Sequence, residues 1–312
     1  MFFSTLIVLG TLNAVQSASF RCYQGSMDSY FDTPLDDPYP LLTNCINKER
    51  NTTLFAGGAQ NTNTGPAINR TVSTYIFQNN TNVILINWEK ESSLLPNILG
   101  YVPGILAARE IGYRAGDGIV KLIQKGVSPS RIRLVGHSLG AHLMGWVGER
   151  VRESNYTLLS IWGLDAAGPG FDGLLGIPGL NPSQAQYVCT ILTNPGKLGT
   201  NEPAGTYNFW VNCGNDGLQP GCPEGIYPPL SENGKCSHDR AWMIMSEALL
   251  NPYSFPAVLA ESCSDWKSQS SSNGVINYVG DSFDVSKPGT FYLSTNAQSP
   301  YSKGDAGITP NN

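Results

Sequence analysis

Apolar runs alternate with segments of helical periodicity along the first half of the chain. The apolar runs contain β-branched residues and read TTLFAGG (52–58), NVILINW (82–88), RIRLVG (131–136) and LLSIWGLD (158–165). Helical spacing extends from Ile98 to Lys125, recurs in LGAHLMGWVGERV, and is suggested in STYIFQ. Continuous apolar runs are typical of strands buried on both faces. We therefore predict an α/β fold whose largely parallel central sheet carries helices on both faces.

The pattern is less regular towards both ends of the chain. Residues 20–52 are rich in Asp, Pro and Tyr and predict an initial strand followed by loops. Beyond residue 170, loops, glycines, prolines and cysteines dominate, and SFDVSKPGTFYLSTN (282–296) alternates as edge strands do. No repeat or low-complexity linker divides the chain, so we expect one domain over residues 18–312.

The first 17 residues form a short apolar run that ends in small residues. Val15 and Ser17 suit the −3 and −1 positions of a secretory cleavage site, so residues 1–17 are predicted to be a signal peptide. This run is too short for a membrane helix, and no later segment reaches the roughly 18 apolar residues that a span needs. We expect a secreted, extracellular protein without a transmembrane segment.

Cysteines and glycosylation sequons also favour export. Seven cysteines follow the leader, a number that indicates disulfides in an oxidising compartment and leaves one cysteine over. Glycosylation is predicted at four sequons, which begin at Asn51, Asn69, Asn79 and Asn155.

Composition narrows the classes of function. A net charge of −5 argues against a nucleic-acid partner, and 41% hydrophobic residues argue against disorder. No CxxC pair accompanies a histidine, so a zinc site is not expected. We predict neither a metal nor another cofactor.

One motif suggests nucleophilic catalysis. Residues 136–140 read G-H-S-L-G between a predicted strand and a predicted helix, which is the setting of a nucleophile elbow. Two glycines leave room for a strained turn that exposes the Ser138 hydroxyl. The backbone N–H of Leu139 can help to bind an oxyanion. The alternative is a glycine-rich turn with a passive serine.

A nucleophilic serine needs a histidine base, and the chain has three histidines. The side chain of His137 diverges from its neighbour Ser138 on so tight a turn. His142 lies on the helix that leads away and is expected to pack or hydrogen-bond beneath the elbow. His238 remains, and because a loop precedes it, we predict that a loop presents this base.

The histidine in turn needs a carboxylate to orient it. Asp165 closes the apolar strand LLSIWGLD, at the sheet edge where catalytic groups gather. Its rivals lie in or beside loops and are Asp172, Asp216 and Asp239. The chain order Ser138, Asp165, His238 is that of an α/β-hydrolase.

Several motifs in the same order resemble the pancreatic-lipase family of secreted animal lipases. They are GHSLGAH, GLDAAGPGF (163–171), LQPGC (218–222), CSHDRA (236–241) and GTFYLSTN (289–296). The resemblance runs from about residue 50 to the end and is greatest to short-lidded insect members and phospholipases A1. It implies Ser138 as nucleophile, Asp165 as acid and His238 as base, acting on lipid esters at a membrane or micelle surface.

Two segments depart from the family's pattern. The family's His-Gly-aromatic segment, which supplies the second oxyanion N–H, corresponds to Gly57–Ala59, so Ala59 is the expected donor. The family's calcium segment L-x-P-x-D-A corresponds to residues 180–185, where Asn181 and Gln184 replace carboxylates. Because amides bind a hard cation less well, we expect no calcium site there.

The resemblance also implies a lid and three disulfides. Cys222 and Cys236 match the family's lid pair and enclose the short segment 223–235, in which residues 226–230 could form an apolar underside. Spacing and resemblance together suggest the remaining pairs, Cys189 with Cys213 and Cys22 with Cys45, and leave Cys263 odd.

We also expect no C-terminal β-sandwich. Within the family, a short lid without this domain goes with phospholipase A1 or galactolipase activity, although some short-lidded members cut triglycerides. A protein of a different functional class, without catalytic activity, remains the alternative. Yolk proteins share the fold but lack the serine and serve as storage or lipid-binding proteins. This chain retains Ser138, Asp165 and His238, although the altered segment at Ala59 could still silence the site.

Overall fold

A computed structural model describes residues 18–93, 98–174, 176–213, 217–268 and 274–310. The expected signal peptide at 1–17 and the rival Asp216 lie outside the described residues.

In this part of the chain, eleven strands form one sheet. The strands are β1 (Ser19–Ser26), β2 (Ser29–Pro34), β3 (Asn51–Ala56), β4 (Thr81–Asn87), β5 (Ile132–His137), β6 (Ser160–Leu164), β7 (Tyr187–Leu192), β8 (Tyr207–Val211), β9 (Pro256–Leu259), β10 (Ile276–Tyr278) and β11 (Gly289–Leu293). Their order is β10-β9-β11-β8-β7-β6-β5-β3-β4-β1-β2. The seven strands from β11 to β4 in this order are parallel, and antiparallel pairs are confined to the two ends. The predicted, mostly parallel sheet is confirmed.

Helices cover both faces of the sheet. The described helices are α1 (Pro40–Asn44), α2 (Pro66–Gln78), α3 (Glu89–Ser93), α4 (Ile98–Gln124), α5 (Leu139–Glu153), α6 (Glu232–Leu250) and α7 (Cys263–Ser268). Helices α4 and α5 pack together on one face, whereas α2 and α6 pack together on the other. Along β4, Ile84 and Ile86 face the first core while Val83 and Leu85 face the second. This alternation explains the continuous apolar run at 83–86, and the chain has the predicted α/β-hydrolase fold.

The two ends of the chain differ from expectation. Residues 20–52 contain two paired strands, β1 and β2, rather than one. The region after residue 170 contains strands β7 and β8 and the long helix α6, which its loop-like composition concealed. The expected edge strands at 282–296 reduce to β11, which lies inside the sheet between β8 and β9. Both faces of β11 are covered, with Phe291 and Tyr292 buried on opposite sides, so it is not an edge strand.

The disulfides are Cys22–Cys45, Cys222–Cys236 and Cys213–Cys263. The first two were expected, but the pairing of Cys189 with Cys213 is wrong and Cys263 is not odd. Cys189 is buried and free in β7, opposite Tyr207 at the start of β8. Cys213 lies beyond the far end of β8, about 20 Å along the strand, which is much farther than a disulfide reaches.

Three of the four sequon asparagines, Asn69, Asn79 and Asn155, are exposed, and Asn51 is half-buried at the start of β3. Glycosylation at these positions stays a prediction. None of the described helices is both long and apolar enough to cross a bilayer.

Candidate active site

Ser138 occupies a strained turn between β5 and α5. Its backbone has φ 56° and ψ −128°, which is a costly conformation for a residue with a side chain. The flanking glycines are required by close approach. A Cβ at Gly136 would lie 2.2 Å from the carbonyl oxygen of Gly140, and a Cβ at Gly140 would lie 2.3 Å from that of Ala56. The turn therefore has the geometry of a nucleophile elbow.

Asp165 follows the neighbouring strand β6 and is almost completely buried. Its backbone also has a positive φ, 46°. One carboxylate oxygen, Oδ1, accepts hydrogen bonds from the N–H groups of Thr193 and Asn194 at 2.6 and 2.9 Å. The other, Oδ2, lies 2.5 Å from Nδ1 of His238. The backbone therefore fixes the carboxylate so that one oxygen faces the histidine.

His238 lies inside α6, so the expectation that a loop presents it is wrong. The helix begins at Glu232, because Ser231 caps it by accepting the Gly234 N–H, and it places His238 nearly two turns further on. Its ring is buried beside Asp165. Since a carboxylate only accepts, Nδ1 of His238 carries the proton and Nε2 keeps a lone pair.

Contacts made by neighbouring residues link the positions of Ser138, Asp165 and His238. The N–H of Ser138 donates to the carbonyl oxygen of Leu164, the residue before Asp165, at 3.0 Å. The ring of His137, the residue before Ser138, lies 4.6 Å from that of His238, measured between ring centroids. The structure thus brings Asp165 and His238 into contact and places Ser138 on a turn that bonds to the residue before Asp165.

His142 is occupied elsewhere. Its Nε2 donates to the carbonyl oxygen of Ala167 at 2.8 Å, and its Nδ1 accepts the N–H of Leu180 at 3.0 Å. Its ring stacks on Phe171, with centroids 3.5 Å apart. Burial lowers the pKa of the His142 imidazole to about 4. This histidine ties α5 to the loop that follows Asp165, which agrees with its expected structural place beneath the elbow.

The rival carboxylates have other contacts. Asp172 accepts from the Thr200 hydroxyl and the Asn201 N–H, which joins two loops at the sheet edge. Asp239 lies on α6 next to His238, 3.9 Å from Nε2 of His137. Among the described contacts, neither carboxylate bonds to His238, whose carboxylate partner is Asp165.

The segment after β3 lies directly against the serine. A Cβ at Gly58 would lie 2.6 Å from Cβ of Ser138, so only glycine fits. Ala59 follows it and is half-buried. Trp88 is buried and donates its indole N–H to the carbonyl oxygen of Gly57 at 3.0 Å. The Asn63 N–H donates to the Glu89 carboxylate at 3.0 Å, so the loop is fastened at both ends.

In the segment 180–185, the side-chain amide oxygens accept hydrogen bonds from backbone N–H groups of the same turn. Asn181 Oδ1 accepts the Ser183 N–H at 3.0 Å, and Gln184 Oε1 accepts the Asn181 N–H at 2.9 Å. The two side chains form a capping box around a single 3₁₀ turn.

The lid segment carries apolar side chains in solvent. Ile226 is fully exposed, at 103% of its reference area, so the expected apolar underside does not include it. Leu230 is also exposed. Across the sheet edge, Leu174 in the loop after β6 is equally exposed, at 106%. These apolar side chains project from loops at the same edge as Ser138.

The chain matches the family model described as Lipase over residues 38–301. This chain belongs to the lipase family. The sequence resemblance to the pancreatic-lipase family is therefore confirmed.

Individual family members share moderate identity with the chain. Lipase member H of Rattus norvegicus is 30% identical over 80% of this chain and 52% of its own length. Phospholipase A1 member A of Bos taurus is 33% identical over 71% of this chain and 46% of its own. Phospholipase A1 of Polybia paulista is 35% identical over 56% of this chain and 53% of its own. The chain spans about half the length of these relatives.

Proposed function

We propose that this protein is a secreted serine hydrolase that cleaves fatty-acyl esters of lipids, of the phospholipase A1, galactolipase or triacylglycerol lipase type. The observation that carries the proposal is the 2.5 Å contact between Asp165 and His238 beside the strained Ser138 elbow. A buried carboxylate, an oriented histidine and an elbow serine are the parts that acyl transfer needs. Membership of the lipase family and relatives named as phospholipase A1 support lipid esters as the substrate.

In this mechanism, Nε2 of His238 accepts the hydroxyl proton as Oγ of Ser138 attacks the ester carbonyl. Asp165 stabilises the imidazolium that forms. The N–H of Leu139 is the first oxyanion donor. It is the first helical residue of α5, and N–H groups in a first turn have no acceptor within the helix. The N–H of Ala59, next to Gly58, is the second.

The tetrahedral intermediate then collapses. The proton on His238 passes to the leaving alcohol, and the fatty acyl group stays on Ser138. Water, which gives its proton to the same histidine, attacks the acyl-enzyme. His238 then returns that proton to Oγ of Ser138 as the bond to the acyl carbon breaks, and the fatty acid is released. The cycle needs no metal or cofactor.

Secretion is supported by three disulfides, which persist in oxidising compartments. Lipid at a membrane or micelle surface is the proposed partner. Exposed Ile226 and Leu174 beside the site suit contact with such a surface.

A fluorophosphonate probe tests the mechanism without knowledge of the substrate. The wild-type protein is expected to be labelled and the Ser138→Ala variant is not, because the probe bonds covalently to an activated serine oxygen. Turnover on lipid esters should fall at least about 10⁴-fold in the variant while the melting temperature is kept. An unlabelled wild-type protein would overturn the proposal in favour of a non-catalytic lipid-binding or storage role.

A second assay addresses the substrate. Purified protein is compared on triglyceride, phosphatidylcholine and galactolipid, with positional analysis of the products. Cleavage of phosphatidylcholine at sn-1 would support the phospholipase A1 type, and exclusive hydrolysis of short soluble esters would contradict a lipid substrate.

A further inference from the structure

His137, the residue before the proposed nucleophile, is buried to 2% exposure at the end of β5. The proposed mechanism gives its side chain no role. Its ring is tilted against that of His238, with the centroids 4.6 Å apart. Its Nε2 lies 3.2 Å from the backbone carbonyl oxygen of His238. The side chain thus contacts both the ring and the backbone of the proposed base.

The protonation state of His137 follows from its neighbours. A carbonyl oxygen only accepts, so Nε2 carries the proton and donates it to His238. Nδ1 is buried and has no hydrogen-bond partner among the described residues. Burial, and next the neighbouring His238, lower the pKa of His137 to about 4. Asp239, Asp165 and the hydrogen bond to His238 act in the opposite sense. His137 is therefore neutral at neutral pH and adds no charge beside the imidazolium.

The backbone of His137 contacts the other half of the site. A Cβ at Gly58 would lie 3.2 Å from the carbonyl oxygen of His137, so this carbonyl packs against the proposed oxyanion segment. One residue therefore joins β5, the segment after β3 and α6 where the three elements meet at Ser138.

We propose that His137 is a positioning residue, whose Nε2–H holds His238 on α6 at a fixed distance from Ser138 on the adjoining turn. No other described hydrogen bond joins the His238 backbone to β5. Because a shift of about 1 Å in a reacting group can cost up to about 100-fold in rate, loss of this bond should lower kcat. Because the proposed mechanism gives the His137 side chain no part in substrate binding, KM should stay unchanged. The inference rests on the proposed function for its kinetic readout.

Three variants separate the hydrogen bond from the ring. His137→Phe keeps the ring but loses the donor. His137→Gln restores a donor, because the same number of bonds separates Cα from Nε2 in glutamine and in histidine. His137→Asn carries the same amide one bond closer to the backbone and cannot reach His238. We expect kcat on a p-nitrophenyl ester to fall about tenfold in the Phe and Asn variants, with KM within about twofold, and the Gln variant to recover to within about threefold of wild type.

The melting temperature is measured for each variant. The Gln and Asn variants are the decisive pair, because they differ by one methylene group and should be similarly stable. Wild-type kcat in the Phe variant, or equal kcat in the Gln and Asn variants, would overturn the proposal.

A spectroscopic readout does not depend on turnover. The proton between His238 Nδ1 and Asp165 is expected at far-downfield shift in ¹H NMR, since the bond is short and charge-assisted. Its line should keep its position in the Gln variant and move or broaden in the Asn variant, and identical lines in both would overturn the positioning role. Failure of fluorophosphonate labelling in the wild-type protein would instead overturn the hydrolase proposal, so the two failures are distinguishable.

Discussion

The Asp165 carboxylate is held between the backbone and His238. Oδ2 lies 2.5 Å from Nδ1 of the histidine, while Oδ1 accepts two backbone N–H groups, from Thr193 and Asn194. A side chain of the same shape at position 165 must therefore direct an acceptor atom towards these two N–H groups. A Cβ at Gly199 would lie 2.5 Å from Oδ2, so the loop also leaves the carboxylate no room to move.

This arrangement makes Asp165→Asn a sharp test. The backbone donors at residues 193 and 194 will bind the amide oxygen, so the amide NH₂ will face Nδ1 of His238. The histidine must then carry its proton on Nε2, which removes the base that Ser138 needs. We expect kcat on a soluble ester to fall about 10³- to 10⁴-fold with a nearly unchanged melting temperature. A loss under tenfold would contradict the role of Asp165.

A second prediction concerns Trp88, which is bonded to the proposed oxyanion segment. Trp88→Phe removes the indole N–H that Gly57 accepts but keeps an aromatic ring. One such bond contributes about 1 kcal/mol, so kcat should fall about fivefold as the segment loosens.

Trp266→Phe is the matched control for Trp88. Its indole also donates one bond to a backbone carbonyl oxygen, that of Ile308, at 2.8 Å, in a separate core cluster. Both variants should lose similar stability in urea denaturation, but only Trp88→Phe should lose turnover. Equal kcat in the two variants would refute the link between Trp88 and the oxyanion segment.

The two buried histidines predict a loss of stability in acid. Burial lowers the pKa of His137 and His142 to about 4, whereas an unfolded histidine titrates at about 6.5. Between these values the unfolded chain binds protons that the folded chain does not, so stability falls as the pH drops from about 6.5 to 4. Each histidine should contribute a loss of about 3 kcal/mol.

Urea denaturation at pH 7 and pH 4.5 measures this loss. In the His142→Phe variant, the difference in unfolding free energy between the two pH values should shrink by about 2 to 3 kcal/mol. An unchanged difference would show that the pKa of His142 is not lowered in the folded protein.

The exposure of Ile226 leads to a prediction about how the protein binds a lipid surface. The fully exposed side chain projects from the lid segment, and burial of an isoleucine in lipid contributes about 1.5 to 3 kcal/mol. Ile226→Glu should therefore weaken binding to phosphatidylcholine vesicles about tenfold or more in a flotation assay, with turnover on a soluble ester preserved.

Phe77→Glu serves as the control for Ile226→Glu. Phe77 is also exposed, at 79%, but it lies near the end of α2, away from the sheet edge that carries Ser138. Binding should match wild type in this variant. Equal losses in both variants would argue against a specific role for the lid segment.

The central fold and the candidate site were predictable because their signals are local. A strand buried on both faces carries a run of consecutive apolar residues, so β3, β4, β5 and β6 stand out in the sequence. The elbow requires glycines at fixed offsets from Ser138, and a chain with three histidines leaves few candidates for the base.

Other features depend on contacts between distant segments. The disulfide of Cys213 was assigned wrongly because spacing along the chain does not report the roughly 20 Å of strand between Cys213 and Cys189. His238 was expected on a loop because the N-cap at Ser231 follows a run of prolines and glycine that conceals the start of α6.

By itself, the sequence determined the parallel sheet and predicted the elbow and the three residues of the proposed triad, since each leaves a local pattern. Only the tertiary structure decided what surrounds them. The donors to Asp165, the bond from His137 to His238 and the anchor of Trp88 on Gly57 all join segments at least 28 residues apart. No local pattern encodes such bonds, because packing of the sheet and its two helical layers brings their partners together.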